Sequence, residues 1–175
     1  RDSSTSRGLG DVYKRQEICR DLQDRLVMIA RVSDAGAFVN TNALTLKRSH
    51  GDYSVMQLLY DGSEIKAVLD FVNAGEVPIA WELIRSYSYM DCTFNAARLA
   101  AYTNEYRRYA EVSVDDLRYM PYLYLGQLLS STYGYKQYLQ TGDEELLAFG
   151  RWRTEMCRYL IANAGEVSAE LVRLA

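Results

Sequence analysis

Histidine, proline and cysteine are scarce: 175 residues contain one, two and three of them respectively. One histidine and three scattered cysteines, Cys19, Cys92 and Cys157, cannot provide the clustered nitrogen and sulfur ligands of a zinc site. Their odd number and irregular spacing give no disulfide framework, so they read as reduced, buried thiols of a cytoplasmic protein. No apolar run approaches the roughly 18 residues needed to cross a bilayer, so no membrane partner is expected. A basic excess is missing too. Lysine and arginine number 20 against 23 acids, a net charge of −3, which is a poor footprint for nucleic acid. There is also no G-x-x-x-x-G-K-[ST] segment and no glycine-rich hairpin to cradle phosphates.

What is present is a globular composition, 49% apolar and 25% charged, in a chain long enough for one domain with a real core. Residues 1–16, "RDSSTSRGLGDVYKRQ", stand apart. They are polar, rich in serine and arginine, and lack an apolar period, so they are expected to be a non-native, disordered tail. Residues 17–175 form the domain proper. Setting the tail aside removes Arg1, Arg7, Lys14 and Arg15 against only Asp2 and Asp11, which leaves the domain more acidic.

From Glu17, the apolar residues Ile18, Leu22, Leu26, Ile29 and Ala30 recur at helical spacing as far as Asp34-Ala35-Gly36. "VNTNALTLKRS" alternates like an extended segment. Beyond it, "LLY" and "IKAVLDF" flank Asp61-Gly62, a hairpin signal. After Pro78 the period is helical almost throughout: Ile79–Met90, Thr93–Tyr109, Val114–Leu139, Asp143–Ala164 and a short final helix, with breaks at Gly142 and Gly165. Ser113 and Asp116 make a capping-box start for the third of these helices. The expected fold is mainly α (α+β), a helical body with one small β-hairpin. Tyr102, Tyr106 and Tyr109, like Tyr119, Tyr122 and Tyr124, are spaced for helix faces and are expected to pack in the core. Glu82 reads as an ion-pair partner.

The hairpin brings distant residues together. Its turn at Asp61–Glu64 pairs Tyr60 with Ile65, and the same sum sets Gln57 near Val68. Asp70 then leaves the second strand opposite the loop before the first, which carries His50 and Asp52. Neighbouring strands lie about 5 Å apart, so Asp52, Gln57 and Asp70 can converge at one end of the hairpin. Two carboxylates and an amide oxygen are hard donors that suit Mg²⁺.

With these residues, "HGDYSVMQLLY…AVLDF" resembles the catalytic core of aminoglycoside phosphotransferases and of their choline kinase and homoserine kinase relatives. Those enzymes share the protein-kinase-like fold. His50, Gly51 and Asp52 match the start of the family pattern H-G-D-x-x-x-x-N, and Asp70-Phe71 matches its second acid and aromatic. "AGEVPIAWELIRSY" is similar to the segment where the family starts a helix after gly-x-x-pro, with Glu82 at the acid inside that helix. The helical remainder, including "YLYLGQLLSSTYGYKQYL" and "FGRWRTEMCRYL", is similar to the family's C-terminal lobe, so the resemblance runs from about Glu17 to the end.

The resemblance implies transfer of the ATP γ-phosphate to the hydroxyl of a small-molecule acceptor. Asp52 would orient that hydroxyl, Asp70 would hold Mg²⁺, and His50 would brace the loop rather than act as a base. Gln57 stands where the family has a metal-binding asparagine and keeps the amide oxygen on a longer arm. The family's small N-terminal lobe, with its strand lysine paired to a helix glutamate over ATP, has no counterpart in these residues. The chain is therefore expected to be the large lobe alone, inactive by itself. Two other classes stay open: a non-catalytic kinase-like ligand-binding module (a pseudokinase), motivated by Gln57, and an unrelated helical interaction protein. Acceptor identity and oligomeric state are left open.

Overall fold

The structure, a computed structural model, describes residues 3–34, 39–90 and 95–174. Among the described residues six α-helices and four short strands follow in the order α1 (Ser3–Asp34), β1 (Leu46–Ser49), β2 (Leu58–Asp61), β3 (Glu64–Val68), β4 (Gly75–Pro78), α2 (Ile79–Met90), α3 (Ala96–Arg107), α4 (Val114–Ser130), α5 (Tyr135–Thr141) and α6 (Glu144–Leu174). The protein is mainly helical, with two small antiparallel sheets, β1–β4 and β2–β3. Two compact units divide the chain. One takes Arg1–Phe38 and Leu125–Ala162, the other Val39–Tyr124 and Asn163–Ala175.

In the first unit, Ile18, Tyr135, Tyr138 and Leu147 form a buried cluster, with Leu22 and Leu146 packed on it. Helix α1 starts at Ser3, inside the stretch expected to lack regular structure. Its inward face also differs from the expected stripe. Leu26 is 66% exposed and Ile29 is half-exposed, whereas Arg25 is 2% exposed. The reason lies in its partners. The Arg25 guanidinium donates to the Leu128, Ser131 and Gly150 carbonyls and to Thr154 Oγ1. It thereby satisfies carbonyls at the end of α4 that have no helical partner.

The expected helix Val114–Leu139 is two helices, because the chain turns at Gly134 with φ of +93°. A side chain there would meet the Gly150 backbone 2.9 Å away, so glycine is required. Conversely, α6 runs unbroken through Gly165, where a break was expected. Ala164, Val167 and Leu171 are buried on both sides of it. That burial outweighs the roughly 1 kcal/mol that a glycine costs inside a helix. The helix end expected at Ala35-Gly36, the residue Cys92 and the helix start at Thr93 lie outside the described residues. Of the other thiols, Cys157 is buried as expected but Cys19 is exposed.

In the second unit, α2 has the predicted bounds, since Pro78 closes β4 and Ile79 opens the helix. Ile79, Ala80, Leu83 and Ile84 bury its inner face. Ser113 and Asp116 form the expected reciprocal cap: Asp116 N–H donates to Ser113 Oγ (3.0 Å) and Ser113 N–H to Asp116 Oδ2 (2.8 Å). Asp116 Oδ1 also accepts the Thr45 N–H at 2.9 Å, which ties the chain just before β1 to α4. The hairpin keeps Tyr60 opposite Ile65, but a bulge beyond it puts Leu58, not Gln57, opposite Val68. The extra residue in β3 shifts the sum by one, and Gln57 instead accepts the Leu69 N–H through its carbonyl at 2.8 Å. Of the six tyrosines expected in the core, Tyr124 is buried and Tyr109 is 78% exposed.

Candidate active site

Strand β1 ends at Ser49 and delivers His50, which is 8% exposed, into the space beside the hairpin's open end. Its Nε2 lies 2.6 Å from the Leu69 carbonyl, and its Nδ1 accepts the Asp52 N–H at 3.3 Å. A carbonyl can only accept, so Nε2 carries the proton and Nδ1 is bare. The ring also packs on Phe71, centroids 4.6 Å apart, and meets Tyr53 edge-on at 5.9 Å. The histidine of H-G-D thus rests on the aromatic of D-F. Gly51, at φ +76°, completes the join. A Cβ at this position would lie 2.0 Å from the Asn73 carbonyl oxygen, so no other residue fits.

Asp70 lies between these contacts. It is exposed and adopts the left-handed region (φ 61°, ψ 60°), unlike any other non-glycine among the described residues. Its side chain does not cap the short turn Phe71–Asn73 that follows. Gln57, half-buried, is fixed at the other strand by its backbone, donating to Ser54 and accepting from Leu69. His50, Gln57 and the backbone flanking Asp70 therefore meet around Leu69.

The Asp52 side chain has a partner that the sequence did not reveal. Its Oδ1 pairs with Nη2 of Arg85 on α2, and Arg85 is itself 8% exposed. The guanidinium carbon lies 5.5 Å from the Trp81 ring centroid, one helical turn earlier. A cation on the buried face of a helix was the available clue. Glu82, on the same helix and 7% exposed, was expected to pair with a cation; instead its Oε1 accepts the Tyr53 N–H at 3.1 Å. Burial pushes the Glu82 carboxyl above the usual carboxylate range, while the Tyr53 and Gly51 N–H groups pull it down. Tyr102 is tied to α2 through a 2.9 Å contact between its hydroxyl and Ser86 Oγ.

Among the described residues no group of three or more His, Cys, Asp or Glu side chains is placed to hold a metal. A magnesium ion shared with phosphates needs only one or two carboxylates. The uncapped, exposed carboxylate of Asp70 and the amide of Gln57 fit that kind of site chemically.

The phosphotransferase enzyme family (APH) matches residues 8–112, which is more than half of the chain. The protein belongs to that family, a phosphotransferase class consistent with the aminoglycoside phosphotransferase and choline kinase resemblance. No curated protein and no solved structure matches the chain. Among the described residues no helix is long and apolar enough to cross a membrane.

Proposed function

We propose that this chain is the large lobe of an ATP-dependent small-molecule phosphotransferase, passing the γ-phosphate to an alcohol hydroxyl. The observation that carries the reading is the His50 Nε2 to Leu69 carbonyl hydrogen bond, 2.6 Å, which joins the Asp52 loop to the Asp70 turn. Phosphoryl transfer asks the protein mainly for positioning and charge stabilisation. Asp52 orients the acceptor hydroxyl and takes its proton. His50 holds the loop and Glu82 grips its backbone. Asp70 and Gln57 are the residues that would hold Mg²⁺, which would supply charge neutralisation on the transferring phosphate. The elements that cover ATP belong to a small lobe that these residues do not include, so the chain by itself is inactive. The free thiols suit a reducing, cytoplasmic setting. Gln57, in place of the family's asparagine, favours a second reading in which the protein binds nucleotide without turning it over.

Magnesium titrations on the full-length protein separate the two. ADP formation is followed with Mg·ATP over aminoglycosides, choline and homoserine as acceptors. Gln57→Asn is expected to preserve or raise turnover, while Gln57→Leu raises the magnesium requirement and Asp70→Asn also weakens Mg·ATP binding. Nucleotide binding with no ADP formed by the parent or by Gln57→Asn would favour the non-catalytic reading. Identical magnesium curves for all three variants and the parent would remove these residues from the metal site.

A further inference from the structure

We infer that Arg85 is a positioning residue: it acts through Asp52, fixing that carboxylate so that one oxygen faces the acceptor. The inference rests on the reading of Asp52 as the group that orients the acceptor hydroxyl. Its own basis is the way α2 holds the loop. Two residues one turn apart, Glu82 and Arg85, are both more than nine-tenths buried, and they grip consecutive loop residues by different groups. Glu82 takes the Tyr53 backbone N–H, and Arg85 takes the Asp52 side chain. The backbone grip sets where the loop lies. The side-chain grip sets how the carboxylate is turned.

An aspartate on a loop rotates about two bonds, and a carboxylate that must meet a hydroxyl in line with a phosphate loses rate with every misplaced orientation. Arg85 removes that freedom. It engages Oδ1 and so fixes how the carboxylate is turned. The guanidinium is planar and always charged, and its carbon lies over the Trp81 ring. An ammonium at the same place would keep the charge but lose the fork and the ring contact.

This distinguishes Arg85 from a core arginine that holds the fold together. If it acted on the fold, its removal would cost the same whether or not Asp52 carries a charge. If it acts through Asp52, the cost vanishes once Asp52 is neutral. The test is a double-mutant cycle on the full-length protein with Arg85→Met, Arg85→Lys, Asp52→Asn and the double variant Asp52→Asn/Arg85→Met. Two readouts are taken: ADP formed from Mg·ATP over aminoglycosides, choline and homoserine, and the unfolding midpoint. Arg85→Met is expected to lower kcat by roughly 10–100-fold with KM for ATP unchanged, the scale of a misplaced reacting group. Arg85→Lys recovers part of the loss, and in the Asp52→Asn background Arg85→Met changes turnover less than threefold. The four unfolding midpoints should likewise be non-additive.

If Asp52→Asn alone turns over like the parent, the underlying reading of Asp52 falls, and this inference with it. If Asp52→Asn is impaired while Arg85→Met is within threefold of the parent, this inference alone is overturned. Equal losses from Arg85→Met in both backgrounds, or strictly additive midpoints, would overturn it as well and make Arg85 a packing residue.

Discussion

Arg25 and Arg85 are both cations buried on the inner face of a helix, one in each unit of the protein, and they are satisfied in opposite ways. Arg25 sits 5.4 Å from the Tyr135 ring centroid and makes five hydrogen bonds, all to carbonyls or to a hydroxyl. Arg85 sits 5.5 Å from Trp81 and meets the carboxylate of a loop. Burying a charge costs several kcal/mol in either place unless something compensates it. Neutral acceptors fixed on helices can hold a cation still and do nothing else. A loop carboxylate held by a cation is fixed in orientation at the surface of the site. The same residue type thus serves the frame in one unit and, on the reading proposed above, the chemistry in the other.

The comparison breaks most readily at Arg25. Arg25→Met takes the donor from the Leu128 and Ser131 carbonyls, while the Gly150 carbonyl keeps the Thr154 hydroxyl and Thr154 keeps Tyr135. At about 1–3 kcal/mol for each buried polar group left unsatisfied, less what water recovers, the loss should reach about 3 kcal/mol. For a chain of this size that lowers the unfolding midpoint by roughly 6–12 °C. A drop of less than about 2 °C, seen by calorimetry, would show that Arg25 is not the keystone of its unit.

A smaller effect sharpens the contrast through two carboxylates. Glu17, in the first unit, has its carboxyl held below the usual range by the Arg151 hydrogen bond. Its stabilisation is present above the ordinary glutamate range and lost as pH falls through the lowered folded value. Glu82 has the opposite sign. Burial raises it, so its contribution is complete below the ordinary range and declines as pH rises through the raised folded value. Relative to the parent, Glu17→Gln should therefore look less stable at pH 7 than at pH 4. Glu82→Gln, whose amide oxygen can still accept the Tyr53 N–H, should look more stable at pH 7 than at pH 4. Urea unfolding at the two pH values measures both, and parallel shifts for the two variants would contradict the assignment.

Local chemistry was legible in the sequence where it decided the outcome locally. Pro78 fixed the start of α2, Ser113 and Asp116 announced their cap, and Asp61-Gly62 set Tyr60 opposite Ile65. The H-G-D and D-F segments led to the family. What stayed hidden depended on partners far away in the chain. Nothing near Leu26 says that Arg25 will be the buried residue, because the carbonyls that draw it in lie more than 100 residues away or on α6. The bulge that moves Gln57 off Val68 is one residue of slack in β3, invisible to alternation. Gly134 breaks a helix and Gly165 does not, a distinction set by Gly150 beside the first and by buried neighbours around the second. Arg85 was missed for the same reason. Its significance comes from Asp52, 33 positions earlier, and only the folded loop brings them together.

The claim that carries the functional account is that the Asp52 carboxylate, not merely the shape of its loop, drives phosphate transfer. Asp52→Asn in the full-length protein tests it most directly, because the side chain keeps its size and loses only its charge and basicity. The measurement is the rate of ADP formation from saturating Mg·ATP and acceptor, alongside nucleotide affinity by calorimetry. Turnover should fall by about 10²–10⁴-fold, the scale for removing a positioned acid–base group, with Mg·ATP affinity largely kept. In free energy that is about 3–5 kcal/mol of lost transition-state stabilisation. A variant that turns over within threefold of the parent would contradict the account and leave His50, Gly51 and Asp52 as scaffolding for a loop.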